Sequence, residues 1–222
     1  MSASPYTGDV EVGGPPDVRE LPGLTITKLA VSDMANNAYL LRDTATGEAL
    51  LIDAAADPEA LRALIGDADL RTVVTTHGHW DHHRALPEIV EATGARTVAH
   101  EADAADLPVP VSRTVAHGDT VAIGKHELEV IHLRGHTPGS IALVWRGPGD
   151  AGVHLFTGDS LFPGGVGNTQ QDAARFASLI ADVEQRLFAA LPDETWFYPG
   201  HGKDSTLGAE RPHVAEWRAR GW

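Results

Sequence analysis

The run Thr76-His77-Gly78-His79-Trp80-Asp81-His82-His83 holds the densest group of metal-ligating side chains in the chain. Imidazole and carboxylate hold zinc or iron at neutral pH, and His77, His79, Asp81 and His82 crowd into one short stretch. The preceding Arg71-Thr72-Val73-Val74-Thr75 is β-branched and reads as a buried strand that ends where the histidines begin. Residues at alternate positions off a strand end project to one side, so His77, His79 and Asp81 can converge, while His82 turns the other way and could serve a second centre. Titratable groups packed this closely repel and desolvate one another unless a cation offsets the cost, so the cluster predicts a metal site. Isolated histidines (His100, His117, His126, His132, His154, His213) are expected at the surface or hydrogen-bonded in the core.

Three later segments can deliver further ligands. Val130-Ile131-His132-Leu133 is strand-like, and the turn Gly135-His136-Thr137-Pro138-Gly139-Ser140 leaves His136 on a rim before the next strand, Ile141-Ala142-Leu143-Val144-Trp145. Val153-His154-Leu155-Phe156 is closed by Thr157-Gly158-Asp159-Ser160, where a carboxylate can offer one oxygen to each of two cations. Thr195-Trp196-Phe197-Tyr198 delivers His201 through Pro199-Gly200. His132, within a strand, is expected to pack.

With these pieces in order, the chain resembles the metallo-β-lactamase fold superfamily, and within it the glyoxalase II-like branch. The likeness rests on H-x-H-x-D-H after a strand, on the turns around His136, Asp159 and His201, and on Leu51-Ile52-Asp53-Ala54, which matches an early strand ending in Asp; it spans about residues 24–201. Carried over residue by residue, it implies that His77, His79 and His136 hold a first metal. Asp81, His82 and His201 would hold a second, Asp159 would bridge both, and Asp53 would buttress the metal loop from behind. The implied cofactors are two Zn2+ ions, with iron or manganese able to substitute. His83 falls outside the pattern and is read as helix surface or pocket wall.

The resemblance further implies a binuclear metal-dependent hydrolase of small thioester, ester or lactone substrates, acting through a metal-bridged hydroxide with Asp81 as the orienting catalytic carboxylate. The loop 161–169 after Asp159 is rich in glycine and reads as irregular; its amides, with Gly164, Gly165 and Asn168 foremost, are expected to line the substrate pocket. Glyoxalase II enzymes place a basic residue near the end of that loop to hold glutathione, where this chain has Val166 and Asn168, and they carry a helical C-terminal domain where only the tail 206–222 follows here. Both departures count against glutathione thioesters. The tail's Trp217 and Trp222 are expected to pack. The alternative is an iron persulfide dioxygenase-like oxidoreductase, since those enzymes use residues matching His77, His136 and Asp159, although their usual arginine after the aspartate is missing. A lesser alternative is a metal-binding protein without turnover.

The elements needed to position these ligands are those of an α/β chain. Short strands are expected at 24–31, 38–42, 49–53 and 96–99, and later at 121–123, 127–133, 141–145 and 153–157. Asp57-Pro58 caps a helix; others are expected at about 84–93 and 172–190, the last with a stripe of Phe176, Leu179, Ile180, Val183 and Leu187. With the resemblance, this implies a four-layered αββα sandwich of two mixed sheets with helices outside. Residues 1–22, rich in Gly, Pro and Asp, are expected as a flexible arm before a single domain over 23–222.

Composition agrees. A net charge of -14 disfavours nucleic acid and anionic membranes, leaving a small-molecule acyl substrate as the expected partner. The absence of cysteine rules out disulfides and thiolate metal sites and suits a reducing cytoplasm. The start Met1-Ser2-Ala3-Ser4-Pro5 has no secretory pattern.

Overall fold

The computed structural model describes residues 6–221. Two mixed sheets face each other. The first runs in chain order: β1 (Asp17–Leu21), β2 (Leu24–Val31), β3 (Asn36–Asp43), β4 (Glu48–Ile52), β5 (Asp69–Val74), β6 (Arg96–His100) and β7 (Arg113–Val115). Its pairs are antiparallel up to β4 and parallel from β4 onward. The second contains β8 (Thr120–Ile123), β9 (His126–His132), β10 (Ile141–Arg146) and β11 (Val153–Gly158). A small hairpin of β12 (Leu161–Phe162) and β13 (Gly165–Val166) follows, and β14 (Trp196–Pro199) and β15 (Ser205–Thr206) then complete the second sheet. There β14 lies parallel to β11, and the other neighbours are antiparallel.

Period-two alternation assigns each strand two apolar faces. Ile26, Leu41, Leu50 and Ile52 of the first sheet meet Val130, Leu143, Phe156 and Tyr198 of the second in the central core. On the outer face of the first sheet, Leu40, Leu51 and Val73 pack under α1 (Pro58–Ile65) and α2 (Leu86–Thr93) through Leu61, Leu86 and Ile89. On the outer face of the second, Ile131, Val144 and Leu155 meet the stripe Phe176, Leu179, Ile180 and Val183 of α3 (Ala173–Val183). The four layers expected from the sequence are those that form.

Capping chemistry starts the helices where the sequence places them. Asp57 accepts from the Ala60 amide at 3.1 Å ahead of Pro58, and Asp172 accepts from the Ala174 and Arg175 amides at 2.8 and 3.0 Å. The helix expected over 172–190 continues beyond α3 as a π-helical stretch, Glu184–Phe188. The tail adds two short helices, α4 (Leu207–Glu210) and α5 (Val214–Arg220), and Trp217 is buried against the outer core as expected.

The arm differs from its expectation. Asp17–Leu21 is a strand paired along its length with β2, Tyr6 packs its ring 6.0 Å from Trp196 and 6.2 Å from Tyr198, and the Gly8 carbonyl accepts from Lys28 Nζ at 2.7 Å. Gly- and Pro-rich composition reports weak local preference, but an edge strand offers unpaired amides and carbonyls to any neighbouring backbone. Met1–Pro5 and Trp222, on which the leader and packing expectations fall, lie outside the described residues. Among the described residues no helix is long and apolar enough to cross a membrane.

Candidate metal centre

Strand ends at one edge of the sandwich deliver the cluster. After β5, Thr76 is pinned through its amide and hydroxyl, both donating to Asp53 at 2.8 Å, and the chain then presents His77 and His79. A short 3-10 helix, Trp80–His82, turns Asp81 and His82 inward. The turn after β9 brings His136, the end of β11 brings Asp159, and the end of β14 brings His201.

The imidazoles of His77, His82, His136 and His201 are held from behind, which fixes the nitrogen each points inward. Nδ1 of His136 donates to the Asn168 carbonyl at 2.8 Å, and Nδ1 of His201 to the Met34 carbonyl at 2.9 Å. Nδ1 of His82 lies 2.9 Å from Asp53 Oδ2. The Thr76 hydroxyl already donates to Asp53, so it accepts from Nδ1 of His77 at 3.0 Å. Each of these rings therefore spends Nδ1 on an outward contact and turns Nε2 toward the centre, the nitrogen metal ligation would use.

Three sets of potential ligand atoms lie within 4.8 Å of one another: His77, His79 and His136; His77, His82 and Asp159; and Asp81, His82 and His201. Asp159 stands between them, with Oδ2 3.6 Å from His136 Nε2 and 3.4 Å from His201 Nε2, and Oδ1 3.4 Å from His82 Nε2. Asp81 Oδ2 lies 3.5 Å from His201 Nε2 and 3.6 Å from His82 Nε2. His77 Nε2, His136 Nε2 and Asp159 Oδ1 are buried without any hydrogen-bond partner. Orphaned buried polar atoms cost about 1–3 kcal/mol each. Three of them within one cluster of histidines and carboxylates are donors that a metal ion would satisfy.

Electrostatics separate the two halves. Burial pushes His77 well below the ordinary histidine value, lowers His79, and takes His136 down to about 4 although Asp159 opposes it. On the other side burial also disfavours charge, but Asp159 and Asp53 overcome it at His82, raised to about 10. At His201 hydrogen bonds to Asp159 and Asp81 likewise prevail, raising it to about 9. Asp159 is held well below the carboxylate range, and so is Asp81: burial opposes the shift in both, and His82 at Asp159, with His201 and Asn36 at Asp81, prevail. Carboxylates that favour imidazolium here would equally favour a divalent cation.

Beyond the expected residues the structure adds several. Asn36 at the head of β3 donates to Asp81 Oδ2 at 2.9 Å, and backbone carbonyls of Met34 and Asn168 orient two of the histidines. Asn36 had a weak signal, a polar pair opening an apolar strand; the carbonyls had none. His83 is buried, 3.4 Å from the Gly78 carbonyl, and belongs to none of the ligand sets. His154 is a core residue between the Ala151 carbonyl and the Tyr198 hydroxyl, and His132 bonds the Pro138 carbonyl.

The loop expected to offer free amides is instead built into the fold. Gly164 and Gly165 belong to the β12–β13 hairpin, so the Gly164 amide donates to Glu210 Oε2 at 2.8 Å and the Gly167 amide to the Ser160 carbonyl at 3.2 Å. Asn168 acts through its carbonyl on His136. Pairing with the tail and the hairpin uses the donors that local composition left open.

A model of the Metallo-beta-lactamase superfamily matches residues 31–201. This chain belongs to that superfamily. Among curated members, the hydroxyacylglutathione hydrolase of Fuscovulum blasticum is 41% identical over 167 residues, covering 75% of this chain and 62% of the relative. The chain thus spans somewhat less than two thirds of that relative's length. Among superfamily structures, ETHE1 from Myxococcus xanthus superposes with a TM-score of 0.73 at 31% identity, covering 87% of this chain and 84% of the other. TTHA1623 in a di-iron-bound form superposes at 0.67 with 32% identity, covering 83% and 96%.

Proposed function

We propose that this protein is a binuclear metal-dependent hydrolase of small thioester, ester or lactone substrates. The observation that carries the reading is the complete second set, Asp81, His82 and His201, beside His77, His79 and His136, with Asp159 between them. A curated relative at 41% identity is named for hydrolysis of a glutathione thioester, which supports the reaction class. Zinc is the metal we favour in both sets, with iron or manganese as substitutes; the cysteine-free composition suits the cytoplasm.

Two divalent cations, held by His77, His79 and His136 and by Asp81, His82 and His201, would supply Lewis acidity and lower the pKa of water at the centre. The chain's own groups do the rest. Asp81 stays ionised and, fixed by the Asn36 amide, can accept a hydrogen bond from an attacking water and orient it. Met34, whose carbonyl holds His201, and Trp80, next to Asp81, are exposed, and Phe162 lies 6.4 Å from the His201 ring, so apolar side chains flank the second set. Val166, buried in the hairpin, and Asn168 supply no cation for a glutathione carboxylate. S-lactoylglutathione should therefore show a high KM, and thioesters and strained lactones should outrank amides.

A panel of thioesters, lactones and a β-lactam, run with zinc-loaded and iron-loaded protein, tests the reading. Saturable thioester or lactone hydrolysis with about two metals per chain is expected. A single tightly held iron with oxygen uptake on a persulfide would replace it by the dioxygenase alternative, and turnover of the β-lactam alone would move the protein to another branch.

A further inference from the structure

The loop carrying His77 and His79 and the loop carrying His136 come from different sheets, and one carboxylate ties them together. Asp103 lies in a 3-10 helix, Glu101–Asp106, directly after β6 and is 1% exposed. Its Oδ2 accepts from the Gly78 amide at 2.9 Å, between the two histidines of the first loop. The same oxygen accepts from the Thr137 hydroxyl, and Oδ1 accepts from the Gly139 amide at 2.7 Å; both donors belong to the turn that presents His136. Thr137 is locked in turn by Ser140, whose hydroxyl stands 2.6 Å from Thr137 Oγ1 and accepts from the Thr137 amide at 3.1 Å.

Both glycines are shaped to this contact. A Cβ on Gly139 would stand 2.7 Å from the Asp103 carboxyl carbon, and one on Gly78 would stand 3.2 Å from Asp103 Cβ and 3.0 Å from Asp106 Oδ2. A side chain at Gly139 would collide with the carboxylate, and one at Gly78 would crowd the Asp103 side chain at its Cβ. The two loops meet Asp103 through bare backbone, and its three acceptor contacts set their separation.

We propose that Asp103 is a positioning residue for the first metal set, holding His77, His79 and His136 in register across the junction of the two sheets. It does for the two loops what Asp53 does for His82, with two backbone amides and the Thr137 hydroxyl as its donors. The inference rests on reading the histidines as a metal centre and is independent of the thioester assignment.

The test is zinc binding by chelator competition in the parent, Asp103→Asn, Thr137→Val and Asp43→Asn. Asp43 is the control, a buried carboxylate accepting backbone amides of Ala45, Thr46 and Lys125 far from the centre. Asp103→Asn turns one acceptor into a donor facing donors, and the zinc of the three-histidine set should lose about 10–100-fold in affinity. Thr137→Val, which removes a single donor and is the milder change if Asp103→Asn folds poorly, should lose less in the same centre. Asp43→Asn should lower the melting temperature and leave both zinc affinities at the parent value. Cobalt substitution supplies the spectroscopic readout: the visible band of the three-histidine centre should change in Asp103→Asn and not in Asp43→Asn. Unchanged zinc affinities and cobalt spectrum in both Asp103→Asn and Thr137→Val would overturn the proposal, as would loss of zinc in step with melting temperature in all three variants. A parent that binds no zinc or cobalt would instead overturn the metal-centre reading itself.

Discussion

Asp53 Oδ2 lies 2.9 Å from Nδ1 of His82, and the residue that makes this contact has a left-handed backbone, φ 58°. A non-glycine residue there costs roughly 1–3 kcal/mol, which persists only when the surroundings over-determine it. Here they do, since the same carboxylate takes the Thr76 amide and hydroxyl. The strain sits under the metal loop because the carboxylate must reach both the first histidine's neighbour and His82.

Asp53→Ala and Asp53→Gly separate strain from orientation. Both remove the carboxylate, and only glycine relaxes the backbone. Metal affinity should fall about 10–100-fold in both, measured by chelator competition, with glycine the more stable of the two. Recovery of metal affinity in the glycine variant alone would show that strain, not the contact with His82, matters.

Gly200→Ala should damage the junction of the two metal sets. A Cβ at Gly200 would collide with Asp159 Oδ1 and stand 2.8 Å from His82 Cε1. Overpacking of this kind costs roughly 1–3 kcal/mol when absorbed by neighbours, and here the neighbours are ligands. Metal content by elemental analysis should drop below that of the parent, with turnover of whichever proposed substrate the parent hydrolyses down at least tenfold; full content would contradict the packing argument.

Lys28 and Asp204 form a pair with both side chains at 0% exposure, 2.6 Å apart. Lys28 Nζ also donates to the Gly8 and Gly202 carbonyls at 2.7 Å, so it binds the N-terminal segment to the loop that follows His201. Lys28→Met leaves the carboxylate buried with only the Tyr6 hydroxyl and the Trp196 indole. Urea unfolding should show a loss of about 3–5 kcal/mol, and the double variant Lys28→Met/Asp204→Asn should recover part of it. No recovery would mean that the lost aliphatic packing dominates.

His154 links acidity to stability. Burial pushes it down to about 4, and it holds a single neutral tautomer, Nε2 donating to Ala151 and Nδ1 accepting from Tyr198. The unfolded chain binds this proton near pH 6.5, so between about 6.5 and 4 the unfolded state carries more protons. Its contribution is therefore full above 6.5 and declines by about 3 kcal/mol as pH falls through that window. His154→Phe should be less stable than the parent at pH 7, with the gap narrowing at pH 5 in urea midpoints. A gap independent of pH would remove His154 from the acid limb.

The sequence by itself determined the chemistry on offer. His77, His79, Asp81 and His82 are neighbours along the chain, so their density was readable before any fold, as were the helix capped at Asp57, the helix beginning near Asp172 and the stripe of α3. His136, Asp159 and His201 were legible as members of ordered turns, since each follows a β-branched or aromatic strand. What only the tertiary structure decided is everything that joins segments distant in the chain. The pinning of His201 by the Met34 carbonyl, of His136 by the Asn168 carbonyl, and of both loops by Asp103 depends on backbone groups that every residue carries, so no residue type announces it. The glycine loop after Asp159 misled for the same reason. Its composition shows which amides are unconstrained locally, whereas Glu210 and Ser160, placed by the packing of the tail and the hairpin, decide which are used.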